Sequence, residues 1–124
     1  MIDLISQQEK SPQVQVKLQH LHTQKWYSWI PLTIHGPRSI YLSGEVEGRH
    51  AGMHARLIKK RESSSHDLLC LELVLTQEQG DWPTLNCWMP LQYHEYMFGS
   101  FYSMVQIYSE GQLIEKFPVD VLTA

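Results

Sequence analysis

The clearest two-residue period along the chain lies in the segment Asp67–Thr76, where leucine occupies every second position from Leu69 to Leu75. Side chains of an extended chain point to opposite faces in turn, so these four leucines share one face. The opposite face is also apolar except for Glu72. A strand that is apolar on both faces is usually central in its sheet. A ten-residue helix would be apolar nearly all round, so the length favours a strand.

Shorter runs with the same two-residue period lie on both sides of this central segment. Pro31 cannot donate to a ladder, so it predicts an edge strand or a bend. Gly44, inside another run, predicts a bulge or a close backbone approach. The predicted strands besides the central one are 13–21, 26–34, 39–46, 53–58, 84–89, 101–108 and 113–117, with a final short strand near 119–122.

The segment Pro90–Gly99 has a different pattern. Proline fits the first position of a helix, and glycine fits the position just beyond its end. Leu91, Glu95 and Phe98 recur at helical spacing. The segment therefore predicts one short helix near residues 90–99.

About eight short strands separated by turn signals predict a mostly β fold, either a small antiparallel β-barrel or a β-sandwich, with that one helix. The spacing of the strands does not choose between barrel and sandwich, and we favour an up-and-down barrel, which closes its sheet edges. The length of 124 residues predicts a single β domain over 1–124, in which 1–12 form a weakly structured N-terminal segment.

Composition narrows the classes of partner. Hydrophobic residues are 43% and charged residues 19% of the chain, which is typical of a globular protein. The formal net charge of −3 argues against a general nucleic-acid-binding surface, which is usually basic. The sequence contains no secretory signal pattern and no apolar run of the about 18 residues that a membrane span needs. We therefore expect a cytoplasmic protein with no nucleic-acid or membrane partner.

No motif for a reaction is present, so we expect no catalytic residue, no cofactor and no metal site. His50 and His54 have a spacing that suits zinc on a helix, but the alternation after Met53 predicts a strand, which holds them too far apart. Glu72 on the central strand requires a partner or a functional role. Cys70 and Cys87 belong to no Cys-x-x-Cys pair and are expected to be small buried residues. Whether the chain is an enzyme stays open, with a non-enzyme favoured.

The aromatic residues supply the candidate binding surface. If Phe101, Val105 and Ile107 point into the core, the side chains between them point outward. Exposed apolar patches usually mark an interface or a ligand groove, and Tyr, Trp and Met are enriched at interfaces. The candidate interface or ligand residues are Tyr102, Met104, Tyr108, Trp26, Trp29, Trp82 and Trp88.

These observations predict a non-enzymatic protein-interaction module that self-associates through an aromatic β-face. Its partner would be a second copy, giving a homodimer or homo-oligomer, or another protein. The alternative is a β-barrel that binds a small apolar molecule in an aromatic-lined pocket. A histidine-based metal protein or hydrolase is a third, less favoured hypothesis.

Overall fold

Strands form most of the computed structural model, which describes residues 13–16, 21–32 and 35–123. The described residues form nine strands in two mixed sheets and contain no helix. The strands are β1 Gln13–Gln15, β2 Thr23–Leu32, β3 Arg38–Gly48, β4 Met53–Lys59, β5 Leu68–Glu78, β6 Cys87–Met97, β7 Met104–Ser109, β8 Gln112–Pro118 and β9 Asp120–Thr123.

The predicted central strand, β5, is the middle of the first sheet. It pairs antiparallel with β4 along one edge. Along the other edge it pairs in parallel with β7 and antiparallel with the short β1. β8 then adds to β7 through the turn at Glu110 and Gly111, both with positive φ. On the outer face of β5, the Lys60 ammonium lies 3.6 Å from the Glu72 carboxylate.

The second sheet has the order β6-β3-β2-β9. β3 is its long central strand and pairs with β6 over eleven residues without a register shift. β2 pairs antiparallel with β3 and in parallel with β9. Pro31 lies where β2 pairs with β9, beyond the last residue that pairs with β3, so its missing N–H breaks no antiparallel ladder.

The two sheets pack face to face around one hydrophobic core, in a sandwich-like arrangement. The four leucines of β5 meet the inward face of β3, where every second side chain is buried. Among the described strands neither sheet closes into a barrel, so the favoured prediction of an up-and-down barrel is wrong. The parallel pairs β5–β7 and β2–β9 make the prediction of purely antiparallel sheets wrong, because period-two patterning sets which face is buried and not the direction of the neighbouring strand. The fully buried side chains include Ile30, Ile40, Leu42, Val46, Leu69, Leu71, Leu91, Tyr102, Val105 and Ile107.

The predicted helix at 90–99 is wrong, because this segment is most of the edge strand β6. Leu91 and Met97 are buried, and the residues at odd positions between them are half-buried, which is a two-residue period. Pro90 is tolerated because β6 pairs only with β3 among the described strands, so a missing donor on its free edge costs little.

Gly44 confirms the prediction of a close backbone approach. A Cβ atom at this position would lie 2.4 Å from the ring of Trp26. That ring also stacks on Phe117 at 5.8 Å and donates from its indole nitrogen to the hydroxyl of Thr23 at 2.9 Å. Glycine is therefore what lets Trp26 lie over the inner face of β3.

Two further sequence predictions concern the N-terminal segment and membrane spans. The predicted weak segment 1–12 lies outside the described residues. In the part of the chain that the structure describes, there is no helix long and apolar enough to cross a membrane.

Candidate functional site

A continuous row of aromatic rings crosses the outer face of the second sheet, on the side away from the core. We call this row the aromatic stripe. Each ring lies within 4.7 to 6.4 Å of the next, measured between ring centroids. In spatial order the stripe consists of Tyr27, Trp29, Tyr41, His94, Tyr96 and Phe98.

Strand register brings the central rings together. Trp29 lies opposite Tyr41, and Tyr41 lies opposite His94, so the three rings form one row across β2, β3 and β6. Their centroids are 5.6 and 4.7 Å apart. Tyr27 stacks on Trp29 at 5.3 Å, and Tyr96 meets His94 edge to face at 4.7 Å. Aromatic pairs of this geometry contribute about 0.5–1.5 kcal/mol each beyond burial, so the row is ordered by its own contacts.

The stripe is open to solvent. Tyr41, its most covered tyrosine, is 37% exposed, and Phe98 at its end is 78% exposed. Trp88 lies on the same face of β6 as His94, six residues before it along the strand, and is 42% exposed. An apolar surface of this extent on one sheet face is typical of an interface or a ligand groove.

A shallow cavity of about 380 Å³ lies against the centre of the stripe. Trp29, Tyr41 and His94 form its aromatic wall, and Ser43 and Gln92, which pair across β3 and β6, supply polar groups. The volume is within the range of small-molecule sites, about 300–1,000 Å³.

Charge lies at the margins of the stripe. Partial burial, together with the Asp120 carboxylate that accepts its hydrogen bond, raises the pKa of the Tyr27 hydroxyl. Glu45, farther along β3, accepts a hydrogen bond from Gln24 at 2.7 Å and lies 3.8 Å from Lys25. The stripe itself contains no Asp, Glu, Lys or Arg side chain.

The residues of the predicted surface, Tyr102, Met104 and Tyr108, do not lie on one face in the structure. The prediction that Tyr102 points outward is wrong, because this side chain is 1% exposed and lies in the core, while Phe101 before it is exposed. β7 begins only at Met104, so its period-two phase does not extend back through the irregular residues 100–103. Met104 and Tyr108 are half-buried on the outer face of the first sheet, with the Lys60 ammonium 4.7 Å from the Tyr108 ring.

The four tryptophans lie in three different places. Trp29 belongs to the stripe and Trp88 extends the same face. Trp26 lies against Phe117 at the margin of the core. Trp82 packs in the 79–86 loop, where its ring stacks on His50 at 5.9 Å. Two of the four therefore share one surface.

Sequence reasoning missed most of the stripe. Of its six rings, only Trp29 is among the candidates predicted from the sequence, although Tyr41, His94 and Tyr96 each occupy an outward position of their strand. Read with a two-residue period, the even positions from Trp88 to Phe98 already show four rings on one face. The rings of β2 and β3 lie beside them only because of the strand register, which the hydrophobic pattern does not predict.

The histidines and cysteines do not converge. His50 contacts Gln77 at 3.0 Å, whereas His54 lies 3.4 Å from Glu78. The partner expected for Glu72 is present, since its carboxylate lies 3.6 Å from the Lys60 ammonium and accepts from the Glu110 backbone N–H at 3.0 Å. Both cysteines are free thiols: Cys70 is buried in β5, and Cys87 is half-buried in β6. Across the described ranges, no three His, Cys, Asp or Glu side chains are grouped to hold a metal ion.

Comparisons with protein-family models, with curated proteins and with solved structures found no match to this chain.

Proposed function

We propose that this chain is a non-enzymatic protein-interaction module that self-associates by packing its aromatic stripe against the stripe of a second copy. The observation that carries the proposal is the uninterrupted contact of six rings on a solvent-exposed sheet face. Such a surface is self-complementary, which is what a two-fold interface requires.

The exposed area supports an interface between two copies. The five most exposed aromatic side chains of this face are between 37% and 78% exposed. At about 200 Å² per ring, they leave about 500 Å² of apolar surface in water. A stable interface buries about 800 Å² on each partner and is about 65% apolar at its core. The stripe therefore matches the apolar core of such an interface. These five side chains are Tyr27, Tyr41, Trp88, Tyr96 and Phe98.

Two edge strands, β6 and β8, are less suited to self-association than the face. Pro90 removes a donor from the free edge of β6, and Pro118 ends the edge strand β8. Glu115 and Lys116 place charges on β8. Proline and charge on edge strands discourage pairing with another chain, so we propose contact through the face.

A pair of matched variants tests this proposal. Tyr41→Glu places a charge in the centre of the stripe, whereas Leu113→Glu places one at an exposed apolar position of the first sheet. Light scattering at equal protein concentration should give the mass of a monomer for Tyr41→Glu and of a dimer for Leu113→Glu. Equal masses for the two variants would show that the stripe is not the interface.

The cavity of about 380 Å³ supports a second candidate function, the binding of a small apolar molecule at the centre of the stripe. Since neither sheet closes, the ligand would bind on the outer face of the sheet and not inside a barrel. Nitrobenzene is a suitable probe, because it is flat, apolar and non-fluorescent: saturable quenching of the tryptophan emission, lost in Trp29→Leu, would support this function. Quenching of equal size in the two proteins would oppose it.

We also propose a cytoplasmic location, supported by the two free thiols Cys70 and Cys87. Free thiols persist most readily in a reducing compartment.

A further inference from the structure

A second cavity, of about 430 Å³, lies where the turn after β4 approaches the end of β6. Its wall is aromatic, from Tyr93, Tyr96 and Phe98, and it also contains the cationic side chains of Lys59 and Arg61. It differs from the cavity at the centre of the stripe, which contains neither cation.

Among the described residues, Glu95 is the only carboxylate that lines this cavity, and both of its oxygens already accept hydrogen bonds. One oxygen accepts from the Tyr93 hydroxyl at 2.7 Å. The other accepts from the Tyr102 hydroxyl at 2.6 Å and from the Lys59 ammonium at 3.0 Å. Burial by itself would raise the pKa of Glu95, but the hydrogen bonds from Tyr102, Tyr93 and Lys59 hold it below the usual value. Glu95 is therefore ionised at neutral pH and its charge is balanced by Lys59.

Lys59 and Arg61 retain N–H donors that no described residue uses. An ammonium group has three N–H donors, and Lys59 uses two of them, on Glu95 and on the Tyr102 oxygen at 2.9 Å. Arg61 has five donors and makes no hydrogen bond or ion pair with any described residue. One positive charge therefore remains at the cavity after Lys59 and Glu95 have neutralised each other.

Arg61 lies close enough to the cluster to act on its charges. Burial, followed by the hydrogen bond to Glu95, raises the pKa of the Tyr93 hydroxyl, while the nearby Arg61 charge opposes the rise. A guanidinium fork binds carboxylate and phosphate groups with two parallel hydrogen bonds. Tyr96 and Phe98 provide flat apolar surface beside it.

We propose that this cavity binds a small organic anion, in which a carboxylate or phosphate group contacts Arg61 and the free donor of Lys59 while a flat apolar body packs on Tyr96 and Phe98. The two possible anionic groups share the same chemistry: negative oxygens that accept from N–H donors. The site shares Tyr96 and Phe98 with the stripe, so self-association would compete with the anion for these two rings, whereas the cations Lys59 and Arg61 lie outside the stripe.

Calorimetric titrations with four probes test the proposal at low ionic strength. Benzoate and phenyl phosphate carry both the anion and the ring, benzyl alcohol lacks the charge, and inorganic phosphate lacks the ring. At least one of the first two should bind saturably, and the tighter of them identifies the anionic group. Benzyl alcohol and inorganic phosphate should bind about tenfold more weakly, as expected for the loss of a charge-assisted hydrogen-bond pair or of one ring contact.

Two arginine variants provide the matched control. Arg61→Gln should weaken binding of the more tightly bound aromatic anion about tenfold. Arg56→Gln makes the same charge change at an exposed position of β4 and should leave the affinity for this anion unchanged. Saturable binding of neither aromatic anion, or equal weakening by the two variants, would overturn the proposal. Inorganic phosphate binding as tightly as phenyl phosphate would overturn the role of Tyr96 and Phe98.

The Tyr41→Glu variant separates this proposal from the proposed function. Tyr41 does not line the second cavity, so this variant should lose self-association and bind the anion at least as tightly as the wild type does. A variant that loses both would show that the anion site depends on the dimer and would contradict an independent site.

Discussion

Replacing Tyr102 by phenylalanine removes one hydroxyl from the core and leaves the ring in place. This hydroxyl donates to Glu95 at 2.6 Å and accepts from Lys59 at 2.9 Å, and the side chain is 1% exposed. Lys59 and Glu95 remain 3.0 Å apart in the variant, so no buried charge is left alone. The expected loss is therefore that of hydrogen bonds to charged groups, about 2 kcal/mol in the free energy of unfolding.

Urea unfolding followed by tryptophan fluorescence measures this loss. With a slope of about 2 kcal/mol per molar urea for a chain of this size, the midpoint should fall by about 1 M. Tyr108→Phe is the matched control, because that hydroxyl donates to the neutral amide of Gln106 at 2.8 Å on a half-buried face. It should cost about 1 kcal/mol or less. Equal midpoints for the two variants would refute the energetic role assigned to the Tyr102 hydroxyl.

Three further predictions concern the same framework. The pKa of Glu95 is lowered in the folded state. The ionised carboxylate therefore stabilises the fold above its unfolded pKa, about 4.3, and this stabilisation is lost as the pH falls through the folded pKa. In urea titrations, the stability difference between wild type and Glu95→Gln should shrink over that acidic range. Gly44→Ala places a Cβ 2.4 Å from the Trp26 ring and should lower the free energy of unfolding by about 1–3 kcal/mol, measured by denaturation, since the ring must leave its position over β3. Gly52→Ala places a Cβ 2.3 Å from the exposed ring of Trp82, so limited proteolysis should cut the 79–86 loop faster than in wild type, and an unchanged rate would contradict this packing.

The two-residue period predicted the strands in which one face enters the core. In β5 and β7 the buried positions from Leu69 to Leu75, and Val105 with Ile107, are those that alternation indicates. Gly44 was also informative, because glycine inside a strand marks a place where another group approaches the backbone, here Trp26.

The hydrophobic pattern did not indicate which strands pair or in which direction they run. Alternation is the same in parallel and antiparallel strands, so it gave no sign of the β5–β7 and β2–β9 pairs. The predicted helix near Pro90 failed because proline fits an edge strand as well as a helix start, and the β6–β3 ladder decided between them.

The candidate site depended on register even more strongly. Trp29, Tyr41 and His94 are far apart in sequence and meet only because three strands align them. Tyr102 was assigned to the surface because the phase of β7 was extended beyond its first residue, whereas the chain there turns the hydroxyl toward Glu95. The aromatic content of the chain was evident from the sequence, but the face that displays it was not.

The central claim, self-association through the aromatic stripe, is tested most directly by the mass of the wild-type protein in sedimentation equilibrium over a range of concentrations. The account predicts a mass near twice the chain mass of 14.5 kDa, approached as the concentration rises through the micromolar range. A mass that stays at that of one chain at every concentration would contradict it.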